Sequence, residues 1–160
     1  MQKRPLASLK ITLKKNEPFI IVLPSLQILR LYTQDSVYNF HISTAKNGLG
    51  EQLNSYKTPR GWHYVRAMIS CSDATPYFRG RRPTYTPTDI VSRILWLQGL
   101  EEHNHHAKSH SMLRYIYCHG VPYSFLKSPI SKGCINMQPK DIKKLYTLLP
   151  KYCKLYIDKD

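Results

Sequence analysis

One stretch of this chain carries an unambiguous helical period, and that limits what the rest can form. From Pro139 to Leu149 the apolar positions Ile142, Leu145, Tyr146 and Leu149 fall at i, i+3, i+4 and i+7, with Pro139 in the first turn and Pro150 as a stop. Elsewhere apolar residues come as short runs or alternations cut by turn residues. Phe19–Leu23, a Pro24-Ser25 turn and Leu26–Tyr32 read as a hairpin. Ser36–Ser43 alternates, with Tyr38, Phe40 and Ile42 on its apolar side. Asn47–Gly50 and Thr58–Gly61 read as turns, and Gly61–Ile69 as a strand. Ile90–Leu97 fits either period and is read as a strand; Leu113–Cys118, stopping at His119-Gly120, and Cys153–Ile157 are further strands. Asp73–Asp89 and Glu101–Ser111 are assigned to loops. The expected class is mostly β, a sandwich- or barrel-like sheet with one or more short helices. Residues 1–8 are expected to form a tail and residues 9–160 a single domain.

Charge narrows the partner. Lys plus Arg number 24 against 10 Asp plus Glu, a formal net charge of +14. Nucleic acid, an anionic membrane surface and an anionic cell-wall polymer all suit such an excess. The longest apolar run, Phe19–Leu23, is far too short to span a bilayer. Residues Met1–Lys15 are basic, but no apolar segment of signal-peptide type follows. The chain therefore reads as a mature or trimmed domain, or as one exported without an ordinary signal, with a cytosolic protein as the alternative. The four cysteines, Cys71, Cys118, Cys134 and Cys153, form no C-x-x-C pair, which excludes zinc-ribbon and thioredoxin-type readings.

One constellation carries chemistry. A strand ends at His119-Gly120, and Cys134 follows inside Ser131-Lys132-Gly133-Cys134-Ile135-Asn136, with a helix expected directly after it. The thiolate is the reactive form of Cys, and a neighbouring His or positive charge favours it. Gly133 frees the turn, and the amides of Gly133 and Cys134 could form an oxyanion hole. Taken alone, a loop Cys is more often a small buried apolar side chain than a nucleophile.

The surrounding motifs alter that balance. Ser43-Thr44-Ala45-Lys46-Asn47-Gly48-Leu49-Gly50 resembles the S-T-G-K-N-G-x-G stretch of the YkuD-type L,D-transpeptidase catalytic domains. Thr58-Pro59-Arg60-Gly61 is similar to their T-P-x-G turn, and Arg114–Gly120 to the strand delivering their histidine. Ser131–Met137 resembles their S-H-G-C signature, and the resemblance runs roughly from Leu9 to Ile157. It implies a cell-wall peptidoglycan transpeptidase that moves an acyl group from a stem peptide, through a Cys134 thioester, to an amine. His119 would be the base, steadied by a backbone carbonyl near Gly120. Ser131 and Gly133 would shape the oxyanion turn, and Asn136 would support the loop or touch substrate. The acceptor would be another stem, a lipoprotein or a free D-amino acid. The resemblance also implies a periplasmic or cell-surface location, no cofactor and no metal; a monomer not bound to nucleic acid is expected. Alternatives are an L,D-carboxypeptidase or amidase on the same fold, and a non-catalytic basic wall- or nucleic-acid-binding domain.

Two positions depart from the pattern. Lys132 replaces the usual His and is expected to favour the thiolate by its charge. Cys118 stands where an aliphatic residue is usual; side chains alternate along a strand, so it should face the core if His119 faces the site. Cys71 and Cys153 read as core thiols or as a disulfide pair. In Glu101–Ser111, His106 and His110 would share a face if helical, as zinc ligands often do, but the segment is polar throughout and a loop is favoured. Arg79-Gly80-Arg81-Arg82 beside Tyr77, Phe78 and Tyr85 is read as a solvated basic loop, or one that tracks an anionic polymer. Tyr123 and Trp96 are candidates for lining a substrate cleft.

Overall fold

The computed structural model describes residues 13–125 and 127–159, so the tail expected at residues 1–8 lies outside the described residues. The strands are β1 (Phe19–Leu23), β2 (Ile28–Tyr32), β3 (Val37–Ser43), β4 (Gly61–Ser70), β5 (Tyr77–Arg79), β6 (Arg82–Thr84), β7 (Val91–Gly99), β8 (Tyr117–Gly120), β9 (Ile135–Met137) and β10 (Lys154–Ile157). The helices are α1 (Glu102–His105) and α2 (Pro139–Leu148). Neighbours run β4-β10-β1-β2-β3-β9-β8-β7, and β7 pairs again with β4. The sheet thus closes on itself, which removes its long edges. Two contacts in this cylinder are parallel, β1 with β10 and β8 with β9.

The alternations seen in the sequence explain the filling. Ile20, Val22, Leu29, Leu31, Phe40, Ile42, Leu155 and Ile157 point inward and are buried. α2 covers the barrel with Ile142 and Leu145, as its period requires.

Four local readings need correction. The loop at Asp73–Asp89 contains the β5–β6 hairpin, turned at Gly80 with φ of 61°. Its three-residue strands are too short to show an alternation. Leu113–Cys118 becomes strand only at Tyr117; residues 111–115 form turns. Tyr115 takes a positive φ of 56°, and the Trp96 indole donates to the Met112 carbonyl at 3.1 Å. Tertiary bonding therefore overrides the β propensity of this aromatic stretch. In Glu101–Ser111 a single helical turn forms, held by reciprocal Glu101–Asn104 bonds of capping-box type. After Cys134 the chain enters β9 before the helix.

All four cysteines are free, so Cys71 and Cys153 do not pair. Cys153 belongs to the main core, whereas Cys71 gives its thiol to the Ser92 carbonyl at 3.2 Å.

Candidate active site

The parallel β8–β9 ladder sets Cys118 opposite Ile135 and His119 opposite Asn136. Alternation then divides the ladder into two faces. Cys118, Ile135 and Met137 enter the main core. Cys134 lies on the other side, packed with Tyr117, Phe78 and Ile94. His119 shares the parity of Tyr117, and their rings meet edge-on with centroids 6.5 Å apart. Two residues 15 positions apart in sequence thereby share one face of two hydrogen-bonded strands.

Each motif supports the turn that presents Cys134. The buried Gln27 holds Thr44 from both ends of its amide, at 2.8 and 2.9 Å. Ser43 Oγ donates to the Ser128 carbonyl at 2.6 Å and accepts from the Ile130 amide at 2.9 Å. Thr44 and Lys46 bond the backbone of Ser131 on its two sides. Thr58 Oγ accepts from the Ala45 amide and donates to the Gly133 carbonyl, both at 2.9 Å. Ser131 Oγ donates to the Cys134 carbonyl and accepts from the Gly133 amide at 3.2 Å. Gly133 has φ of 126°, and a Cβ there would come within 3.3 Å of the Lys57 carbonyl oxygen. The conformation therefore favours glycine, and the close approach leaves little room for a side chain.

The thiol is protonated in this arrangement. Burial pushes the Cys134 thiol up to about 11, opposed by the Tyr117 amide and by the charge of Arg114. The S–H donates to the Tyr115 carbonyl and the sulfur accepts from the Tyr117 amide, each at 3.4 Å. His119 is buried, and desolvation brings its imidazole down to about 4. Its Nδ1 lies 2.8 Å from the Gly120 carbonyl oxygen. A carbonyl can only accept, so Nδ1 carries the proton and Nε2 is the acceptor. The pair at rest is a neutral thiol and a neutral imidazole.

The cation that acts on Cys134 is Arg114, not the adjacent Lys132. Lys132 is exposed, and the charge reaching the thiol comes from Arg114. The Arg114 guanidinium donates to the carbonyls of Gly50, Glu51 and Lys57, the last at 2.6 Å, and to Ser55 Oγ. Of the candidate cleft residues, Trp96 stacks on Tyr115 with centroids 6.3 Å apart, and Tyr123 is partly exposed and hydrogen-bonded to Asn136. Asn136 itself is buried.

The His-rich segment has a different use. His103 contacts the Arg60 carbonyl at 3.1 Å and His105 the Gly99 carbonyl at 2.9 Å, while His110 packs on His105. Among the described residues no three His, Cys, Asp or Glu side chains converge as a metal cluster.

The fold has counterparts among solved proteins. An L,D-transpeptidase from Mycobacterium smegmatis superposes with a TM-score of 0.59 at 15% identity, over 89% of this chain and 59% of that one. L,D-transpeptidase 3 from Mycobacterium tuberculosis, in complex with a faropenem-derived adduct, gives 0.60 at 11% identity over 89% and 60%. A mutant of the Enterococcus faecium L,D-transpeptidase gives 0.57 at 16% identity over 89% and 50%. The chain thus spans at most three fifths of the length of these structures. No curated protein sequence matches it. The family model of the L,D-transpeptidase catalytic domain matches residues 17–157, the full span from β1 to β10, and the chain belongs to that family.

Proposed function

We propose that this domain transfers acyl groups from peptidoglycan stem peptides, with Cys134 as nucleophile and His119 as base. The observation that carries this reading is the His119 tautomer: Gly120 fixes the proton on Nδ1, so Nε2 is the acceptor on the face shared with Cys134. The thiol swings off the Tyr115 carbonyl and passes its proton to Nε2 as sulfur attacks the donor carbonyl. The S–C bond forms and the carbonyl oxygen takes the negative charge. The Gly133 amide is occupied by Ser131 Oγ, so the oxyanion falls to the Cys134 amide. The tetrahedral adduct collapses, the amide C–N bond breaks, and imidazolium returns the proton to the leaving amine. An incoming amine then loses a proton to Nε2, attacks the thioester and releases the thiol. Water in place of the amine gives hydrolysis.

The charge of +14 suits a site working along an anionic wall polymer, outside the inner membrane, in the periplasm or at the cell surface. Among the described residues no helix is long and apolar enough to cross a membrane. The test is incubation with muropeptides bearing tetrapeptide stems. Cross-linked dimers are expected from the native chain and no product from Cys134→Ala. Shortened monomers alone would assign the hydrolytic outcome, and unchanged turnover by Cys134→Ala would end the proposal.

A further inference from the structure

The β5–β6 hairpin delivers one side chain to the thiol's surroundings. Arg81, in its tip, lies with its guanidinium carbon 4.4 Å from the Trp96 ring centroid and 5.4 Å from that of Tyr115. One guanidinium nitrogen donates to the Tyr117 hydroxyl at 3.1 Å. Tyr115 and Tyr117 are the two residues whose backbone holds the Cys134 sulfur. Stacking and one hydrogen bond fix the plane of the fork, while its other N–H groups have no partner among the described residues. Among the described residues no carboxylate pairs with Arg81, whereas Arg60 is paired with Glu51 at 2.7 Å.

We infer that Arg81 is a specificity residue that receives a carboxylate of the peptide donor. An oriented, unpaired guanidinium is the group best matched to a carboxylate, which it binds through two parallel hydrogen bonds. Trp96 and Tyr115 hold the fork in place before the ligand arrives, which lowers the ordering cost of binding.

This inference rests on Cys134 as nucleophile, so the test reads binding apart from turnover. Stem tetrapeptides, each with one carboxylate converted to carboxamide, are titrated into Cys134→Ala and into Cys134→Ala/Arg81→Gln. The Trp96 indole N–H resonance serves as local reporter. Arg81→Gln should weaken the fully carboxylated peptide about 10- to 100-fold, and one carboxamide form should be insensitive to the substitution. Arg81→Lys should recover only part of the loss, since it keeps the charge but not the fork. An equal loss on every form, or none on any, overturns the assignment. Failure of the nucleophile reading shows separately, as turnover surviving Cys134→Ala.

Discussion

Two histidines in this barrel are buried in the same way and fitted for opposite ends. His63 on β4 and His119 on β8 are both brought down to about 4 by desolvation, and each has Nδ1 held by a backbone carbonyl, of Gly61 and Gly120 respectively. They differ at Nε2. In His63 it lies 2.7 Å from Ser111 Oγ, so both ring nitrogens are used. For His119 no hydrogen bond to Nε2 is found among the described residues, and its ring shares a face with a thiol. Burial alone does not single out the proposed base; an acceptor left open on the face it shares with the proposed nucleophile does. The cysteines repeat the contrast. Cys118 and Cys134 both have raised thiol pKa values, but Cys118 is sealed in the core while Cys134 is half-buried and meets the charge of Arg114.

The widest separation should appear on removing each imidazole. His119→Ala is expected to lower turnover of a stem tetrapeptide by about 10²–10⁴-fold, with a smaller loss of stability in urea than His63→Ala, since only the Gly120 carbonyl loses a partner. His63→Ala should destabilise by about 2–4 kcal/mol, because Ser111 Oγ and the Gly61 carbonyl lose a buried partner, while folded molecules keep their turnover. Matching losses of turnover would erase the contrast.

Acid should treat the two alike. The unfolded chain protonates each histidine near 6.5, while the folded chain resists until about 4. The unfolded state thus binds more protons between these values, and stability falls as pH drops through that window, by up to about 3 kcal/mol per histidine. In chemical denaturation at a series of pH values, His63→Gln should remove roughly half of that slope.

Arg114→Gln sharpens the comparison of the thiols. Its charge holds the Cys134 pKa down, so iodoacetamide labelling of Cys134 at fixed pH should slow by roughly tenfold. Labelling of Cys71 should not change. The smallest effect belongs to Cys118→Ala, a loss of about 1 kcal/mol in the core with native turnover. A marked loss of turnover would mean that the two faces of the ladder are not independent.

The barrel strands were legible because residues such as Tyr38, Phe40 and Ile42 obey a period of two, and α2 because it obeys one near 3.6. The candidate Cys and His were legible because their motifs are local in sequence. Arg114 was not, since its link to Cys134 passes through the Lys57 carbonyl, whose oxygen approaches Gly133. Nor was the turn at residues 111–115, where side-chain bonds from Trp96 and Arg114 outweigh local preference. The β5–β6 hairpin was hidden by its brevity and by Pro83 within it.

The place of β10 has a consequence for assembly. This last strand lies between β1, which it joins in parallel, and β4, which it joins antiparallel. Until Lys154–Ile157 dock, the cylinder has a gap with two unpaired edges, each a template for another chain. Such pairing between distant parts of a sequence is slow, so closure should come late in folding. A chain shortened by a few residues before Lys154 would keep every side chain of the candidate site and still be a self-associating open sheet.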